Sequence, residues 1–166
     1  MSAAVYVQTN DATDNEVVAF RRSDDGALSP LGRHSTGGRG TGEPHLASQG
    51  SVVLTKDARW LLVANAGSDE VSVFAIESEG LRLTGRAGSG GSTPTSVAVR
   101  GDVVYVLNNG TPNLCGFKFE DGQLAPLEGS ERNLSSADAD PAQIAFTVDG
   151  SALVVTERGT DSISSY

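Results

Sequence analysis

Apolar and polar residues alternate along most of this chain, and turn-forming residues interrupt the alternation at intervals. Segments such as "VYVQTN", "EVSVFAI" and "SVAVRGDVVYVL" have the two-residue period and the β-branched content of strands. Between the strands lie "SDDG", "NNGTPN" and "TVDGS", whose Asn, Asp and Gly residues suit tight hairpin turns. The pattern predicts an all-β chain.

The predicted strands recur in the same order, as a repeated unit of four. A short apolar first strand is followed by a second strand with a polar end, as in "LLVAN", "VYVLN" and "LVVTE", and then by two more strands. Equivalent second-strand residues are Leu62, Tyr105 and Val154, separated by 43 and 49 residues. This spacing is close to the roughly 40–50 residues of a propeller blade.

The repeat therefore predicts a β-propeller with blades of four antiparallel strands. The blade-like units cover about residues 1–35, 51–87, 96–130 and 142–166, and the last is cut short. About three and a half blades are expected, which suggests a fragment of a larger propeller. A two-sheet β-sandwich is the alternative fold, but it does not explain the period.

Polar residues recur at one predicted end of these blades. The first and second strands of a blade are antiparallel, so the start of one and the end of the other share a rim. Second-strand ends contribute Thr9, Asn65, Asn108 and Glu157, and first-strand starts contribute His45, Thr95 and Gln143, which come shortly after Pro44, Pro94 and Pro141. Loop-borne sites on rigid scaffolds bind ligands at such positions, so we expect a ligand here.

Each candidate residue also has a structural interpretation. Asn65 and Asn108 precede glycine turns, so they are turn formers or substrate binders. Glu157 is either a solvated turn residue beside Arg158 or a carboxylate that serves as general base or substrate ligand. His45 is a loop histidine tied to backbone or a neutral base. Arg39, in the loop "GGRGTG", could meet an anion.

Composition excludes several classes of partner. Among 166 residues there are 12 Lys and Arg against 21 Asp and Glu, a net charge of −9. This charge argues against nucleic acid and against anionic membranes as partners. Cys115 is the single cysteine, and the spacing of cysteine and histidine fits no zinc site, so we expect neither metal nor cofactor. The N-terminal residues lack a signal-peptide pattern, and we expect a cytoplasmic protein.

Three segments carry a resemblance to a known family. "GEPHLASQGSVVLTKDARWLLVANAGSDEVSVFAI", "TPTSVAVRGDVVYVLNNG" and "DPAQIAFTVDGSALVVTERGTDSIS" resemble the lactonase family of seven-bladed propellers. That family includes bacterial 6-phosphogluconolactonase and the fungal carboxymuconate-lactonising enzyme. The resemblance covers about the N-terminal half of the family's length. It implies a seven-bladed fold and chemistry on a lactone.

The resemblance also bears on two candidate residues. Later blades of the family carry a "P-R-H…V-N-E" arrangement, and "PAQIAF…VVTE" keeps its acid as Glu157 but has Gln143 in the His place. The implied substrate is a small-molecule lactone or sugar acid, with Glu157 and His45 catalytic and Arg39, Asn65, Asn108, Gln143 and Arg158 binding it. The fragment alone is expected to be inactive. Two alternatives stay open: a non-catalytic binding scaffold, and a half-ring that self-associates through its open strand edges.

Overall fold

The computed structural model describes residues 3–44, 46 and 48–166, and these residues form strands, turns and loops. The strands make four antiparallel sheets, called A to D in chain order. Sheet A contains β1 (Ala3–Gln8), β2 (Glu16–Arg22) and β3 (Leu28–Ser35). Sheet B contains β4 (Val52–Leu54), β5 (Trp60–Asn65), β6 (Glu70–Glu77) and β7 (Gly80–Gly88).

Sheet C contains β8 (Pro94–Arg100), β9 (Val103–Asn108), β10 (Asn113–Glu120), β11 (Gln123–Pro126) and the two-residue β12 (Arg132–Asn133). Sheet D contains β13 (Pro141–Phe146), β14 (Leu153–Glu157) and β15 (Ser162–Ser165). Within the described part of the chain, no helix is long and apolar enough to cross a bilayer.

Each sheet is a meander in which strands that follow one another in sequence pair side by side. Sheets B and C have the full set of four blade strands, and β12 is an addition that pairs with β10. Sheet A has the second, third and fourth strands of the repeat, and sheet D has the first, second and third. The all-β class and the antiparallel blades predicted from the sequence are confirmed.

The first strands begin earlier than the alternation predicts. The alternating apolar residues start only at Val97 and Ile144, but β8 and β13 begin at Pro94 and Pro141, next to the rim candidates Thr95 and Gln143. In each strand the register shifts within the first three residues, as a β-bulge does. A bulge adds one residue to one strand, so apolar alternation cannot be followed through it.

Three apolar clusters hold the sheets together, and each lies between two consecutive sheets. The A–B cluster includes Val17 and Phe74, the B–C cluster Leu62 and Val104, and the C–D cluster Leu107 and Val155. All six side chains are at most 1% exposed. The inner sheets are therefore covered on both faces, which is the packing of propeller blades.

Glycines at equivalent positions allow the sheets to approach one another closely. A glycine comes two residues after each of three second strands ends: Gly67, Gly110 and Gly159. The amide of each glycine donates a hydrogen bond to a backbone carbonyl in the connection that precedes its sheet, and the N–O distances are 2.9, 3.0 and 2.9 Å. A Cβ on Gly67 would lie 1.9 Å from the carbonyl oxygen of Gly40, and one on Gly159 would lie 1.8 Å from that of Asp138. None of the three has a positive φ. Gly67 and Gly159 are therefore required for space and not for a left-handed turn, whereas a Cβ on Gly110 would first meet the side-chain hydroxyls of Ser92 and Thr93.

We expect Gly67→Ala to destabilise the protein by about 1–3 kcal/mol, because the new methyl group would force the backbone of the 36–44 segment away. The matched control is Gly88→Ala, since that glycine is also exposed and a Cβ there meets no atom within 4 Å. The unfolding free energy of Gly88→Ala should stay within about 0.5 kcal/mol of the native value. Denaturant unfolding measures both, and equal effects would contradict the close-approach explanation.

Candidate functional site

The predicted rim exists at the ends of β9 and β14. Asn108 is paired with Pro94 across sheet C, and Glu157 is paired with Pro141 across sheet D. The bulges change one predicted equivalence. Gln143 pairs with Thr156 and is therefore the counterpart of Ser96, which pairs with Leu107, and not of Thr95.

Asn65 is a buried bridge between sheets A and B. It is fully inaccessible to solvent. Its Oδ1 accepts hydrogen bonds from Asn15 Nδ2 at 2.9 Å and from Thr36 Oγ1 at 2.8 Å. Its Nδ2 donates to Ser72 Oγ at 2.7 Å. These contacts satisfy the amide within the protein and leave it no surface for a substrate, so the role that this geometry gives Asn65 is structural.

Asn108 occupies the equivalent position in sheet C and is buried as completely. Its Nδ2 donates to the carbonyl of Ser89 at 3.2 Å and to Asn113 Oδ1 at 2.9 Å. Its Oδ1 has no hydrogen-bond partner in the described part of the chain. Asn65 and Asn108 thus tie one sheet to the connection that precedes it. The sequence suggested a local turn former. The bonds to Ser72 and Asn113 do stay within one sheet, but those to Thr36 and Ser89 reach the connection before it.

Glu157 occupies the same position in sheet D, and only 2% of its surface is exposed. Its Oε2 accepts hydrogen bonds from the hydroxyls of Ser135 and Thr160, the latter at 3.2 Å. Its Oε1 is buried and has no partner among the described residues. The sequence placed this carboxylate at the rim, as a solvated turn residue or a substrate ligand, whereas the structure encloses it between sheets C and D.

The carboxyl of Glu157 is held in its ionised form. Burial raises its pKa, while hydrogen bonds from Ser135, Ser164 and Thr160 lower it by more in total, so the net pKa lies below the ordinary 4.5. An amide such as Asn65 both donates and accepts, but an ionised carboxylate can only accept. Among the described residues, no donor makes a hydrogen bond of ordinary geometry to the buried Oε1, although Ser164 is close enough to the carboxyl to lower its pKa.

The two arginines predicted to bind substrate lie in different surroundings. Arg158 donates from Nη2 to Asp140 Oδ1 at 2.7 Å, which makes an ion pair on the surface beside Glu157. Its charge is therefore partly compensated. The side chain of Arg39 is exposed. Its carbonyl accepts a hydrogen bond from the amide of Gly67, which joins the 36–44 segment to sheet B. His45 lies outside the described residues.

A cavity of about 820 Å³ lies at the opposite rim from these residues. The turns after β4, β8 and β13 form it, with Trp60, Phe119 and Phe146 on its walls. It includes none of the predicted site residues. The sequence marked these turns only as hairpins, because nothing in a turn motif shows that turns of three sheets converge.

The hydroxyl residues that meet the rim positions were also missed. Thr36 and Ser89 directly follow the fourth strands β3 and β7, and Ser135 comes two residues after β12. Thr36 and Ser135 contact the second-strand end of the next sheet through their hydroxyls, and Ser89 does so through its carbonyl. A recurring Ser or Thr at this place was the available signal. It is weak in a sequence because serine and threonine are common in connections of every kind.

Comparison with known proteins identifies the same kind of fold. The family model described as "Lactonase, 7-bladed beta-propeller" matches residues 5–131. A protein from Lactobacillus plantarum has 20% identity and a TM-score of 0.75, and the match covers 98% of this chain and 49% of that one. The periplasmic gluconolactonase of Pseudomonas aeruginosa has 20% identity and a TM-score of 0.71, with the same coverage.

A third solved structure comes from Bacteroides fragilis and is provisionally assigned as a 6-phosphogluconolactonase. It has 21% identity and a TM-score of 0.68, and the match covers 95% of this chain and 51% of that one. The chain thus spans about half the length of these structures, and at such identities the likeness concerns the fold. Comparison with curated proteins finds no match.

Replacing Glu157 by Gln tests the state of the buried carboxyl. Because its pKa is lowered on folding, the ionised group stabilises the fold above its unfolded pKa, and this contribution is lost as the pH falls below about 4.5. The difference in unfolding free energy between the native protein and Glu157→Gln should therefore shrink between about pH 7 and pH 3. Denaturant unfolding at a series of pH values measures it.

The exposed Glu128, changed to Gln, controls for the loss of one negative charge. A difference between native protein and Glu157→Gln that grows as the pH falls would mean that burial dominates and that the carboxyl is protonated more readily than usual.

Proposed function

Since the chain belongs to the lactonase family of seven-bladed β-propellers, we propose that the protein hydrolyses lactones of sugar acids or related carboxylic acids and that Glu157 contacts the substrate. The observation that carries the proposal is the unsatisfied, buried Oε1 of an ionised carboxylate. In sheet B the same repeat position holds an amide whose hydrogen bonds are all made within the protein. Glu157 thus differs from Asn65 and Asn108 at the equivalent positions in that it carries a charge.

Lactone hydrolysis needs a group of this kind. Water adds to the carbonyl carbon, the ring C–O bond breaks, and the ring oxygen leaves as a hydroxyl group of the product acid. A carboxylate near the carbonyl can accept a proton or hydrogen bond from the attacking water, or orient a substrate hydroxyl. Since the lowered pKa of Glu157 makes it a weak base, it suits the orientation of water or of a substrate hydroxyl better than complete proton removal.

The names of structural relatives support the substrate class. One is called a gluconolactonase and another is provisionally assigned to 6-phosphogluconolactone hydrolysis. Both act, by their names, on lactones of sugar acids. This chain spans about half of each, so the activity is proposed for the protein as a whole, and we expect the 166 residues alone to lack it.

A non-catalytic binding scaffold is the second candidate function. Two observations favour it: Glu157 is only 2% exposed, and the neighbouring Arg158 is paired with Asp140. Among the described residues no cationic side chain makes a hydrogen bond or ion pair to Glu157 that would form an acid–base pair. Propeller folds carry many functions, so the fold does not choose between the two.

The decisive measurement is hydrolysis of a set of sugar lactones by the complete gene product, with Glu157→Gln beside it. We expect kcat/KM to fall by about 10–10² in the variant, which corresponds to the loss of one hydrogen bond to a charged group. Glu128→Gln should retain native turnover. An unchanged rate in Glu157→Gln would remove this residue from the mechanism, and absence of turnover with binding retained would favour the scaffold.

A further inference from the structure

The cavity at the rim away from Glu157 lies where three sheets converge. The turns after β4, β8 and β13 contribute to it from sheets B, C and D. Its volume of about 820 Å³ is in the range of small-molecule binding sites, roughly 300–1,000 Å³. The chemistry of its walls indicates what kind of molecule it would hold.

The walls carry a fixed aromatic surface. Trp60 packs against the B–C cluster and Phe146 against the C–D cluster, and both side chains are only half-buried. The Trp60 ring meets the ring of Phe119 edge-on, with centroids 5.8 Å apart. A Cβ on Gly122 would lie 2.4 Å from the indole, so the ring also lies against that backbone. The exposed part of the indole is therefore a flat, held surface on which a planar ring can stack.

Side-chain hydrogen bonds brace two of the turns that form the cavity. In the turn after β4, Thr55 Oγ1 donates to Asp57 Oδ1 at 2.6 Å and accepts a hydrogen bond from the amide of Trp60 at 3.1 Å. In the turn after β13, Thr147 Oγ1 donates to Asp149 Oδ1 at 2.6 Å. A ligand that enters the cavity consequently has little ordering of these turns to offset.

Arg100 places a cation of fixed position on the same wall. Its Nη1 donates to the carbonyl of Val148 at 3.1 Å and its Nη2 to that of Asp149 at 2.7 Å. A Cβ on Gly150 would lie 2.1 Å from its Nε, so the guanidinium lies against the backbone there. Both acceptors are neutral carbonyls, and among the described residues Arg100 makes no ion pair. A guanidinium has five N–H groups, so donors remain for a further acceptor.

The other charges around the cavity leave the same requirement. Lys56 also makes no ion pair within the described part of the chain. The carboxylate of Asp57 accepts hydrogen bonds that lower its pKa, and that of Asp102 pairs with Lys118. The third carboxylate, Asp121, lies in the exposed turn after β10. Two carboxylates are thus engaged by the protein itself, whereas neither cation is engaged by a carboxylate.

We propose that this cavity is a binding site for a small aromatic carboxylate. The ring of the ligand stacks on Trp60, and its carboxylate accepts hydrogen bonds from Arg100, whose planar fork matches two carboxylate oxygens. Lys56 adds a second positive charge. The site is separate from Glu157, which lies at the other rim, and it does not depend on the proposed lactonase activity.

Titration of the 166-residue chain with sodium 2-naphthoate tests the proposal. Trp60 is the single tryptophan of these residues, so its indole N–H gives one resonance in a proton–nitrogen correlation spectrum. We expect this resonance to shift saturably, with a Kd on the order of 1 mM or tighter.

The matched control ligand is 2-naphthylmethylammonium, which has the same ring and the opposite charge. It should bind at least about tenfold more weakly, since Arg100 and Lys56 would repel it. Because the chain carries a net charge of −9, unspecific attraction would favour this ammonium ion over naphthoate.

Two variants locate the carboxylate of the ligand. Arg100→Gln should weaken naphthoate binding about tenfold, the loss of a hydrogen bond to a charged group. Lys56→Gln should weaken it about threefold, because an exposed charge is screened. If Arg100→Gln does not fold, Lys56→Gln carries the test. Arg22→Gln removes an exposed charge outside the cavity and should retain the native affinity.

Three results would overturn the proposal. One is a Trp60 resonance that does not move or moves without saturation. Another is binding of 2-naphthylmethylammonium as tight as that of naphthoate. The third is an unchanged affinity for naphthoate in Lys56→Gln together with an unchanged affinity in Arg100→Gln or a loss as large in Arg22→Gln.

Discussion

The contact between the end of a second strand and the connection that precedes its sheet is the constraint on which the rest of this structure depends. At this place the side chains of Asn65 and Glu157 accept hydrogen bonds from the hydroxyls of Thr36 and Ser135, and that of Asn108 donates to the carbonyl of Ser89. Two residues later, a glycine amide donates a hydrogen bond to a carbonyl of the same connection. At Gly67 and Gly159 the residue has to be a glycine because the two backbones lie too close for a Cβ. This contact orients each sheet against the one before, and the apolar clusters can then form between their faces.

Because the contact is repeated, differences between its copies are informative. In sheet B the amide of Asn65 makes all its hydrogen bonds within the protein, in sheet C one oxygen of Asn108 is left over, and in sheet D an ionised carboxylate leaves a buried oxygen without a donor. Burial of an unsatisfied polar atom costs about 1–3 kcal/mol, and more for a charged group. The cost is greatest in sheet D, where the unsatisfied oxygen belongs to an ionised group, and such a cost is typical of a residue retained for binding or chemistry.

The repeat, the all-β class and the antiparallel blades could be predicted from the sequence because they depend on period and turn chemistry, which are local properties. The glycine two residues after each second strand was visible too, but its reason was not, since a turn glycine and a close-approach glycine look the same in a sequence. The bulges at the starts of β8 and β13 were also hidden, and they shifted the equivalence of Gln143. Burial of Glu157 could not be predicted, because it depends on Ser135, a residue of the preceding connection.

The unfilled edge of β1 and the unsatisfied oxygen of Glu157 have the same physical origin. In each case the repeat defines a set of donors and acceptors, and one member of the set has no partner in the described part of the chain. At the edge the requirement is for a strand, since the free groups belong to alternate backbone positions of β1. At Glu157 it is for a single donor, since the free group is one carboxylate oxygen enclosed by hydroxyls. The proposed contact of Glu157 with a substrate therefore concerns one enclosed oxygen, whereas the free groups of β1 run along the whole strand.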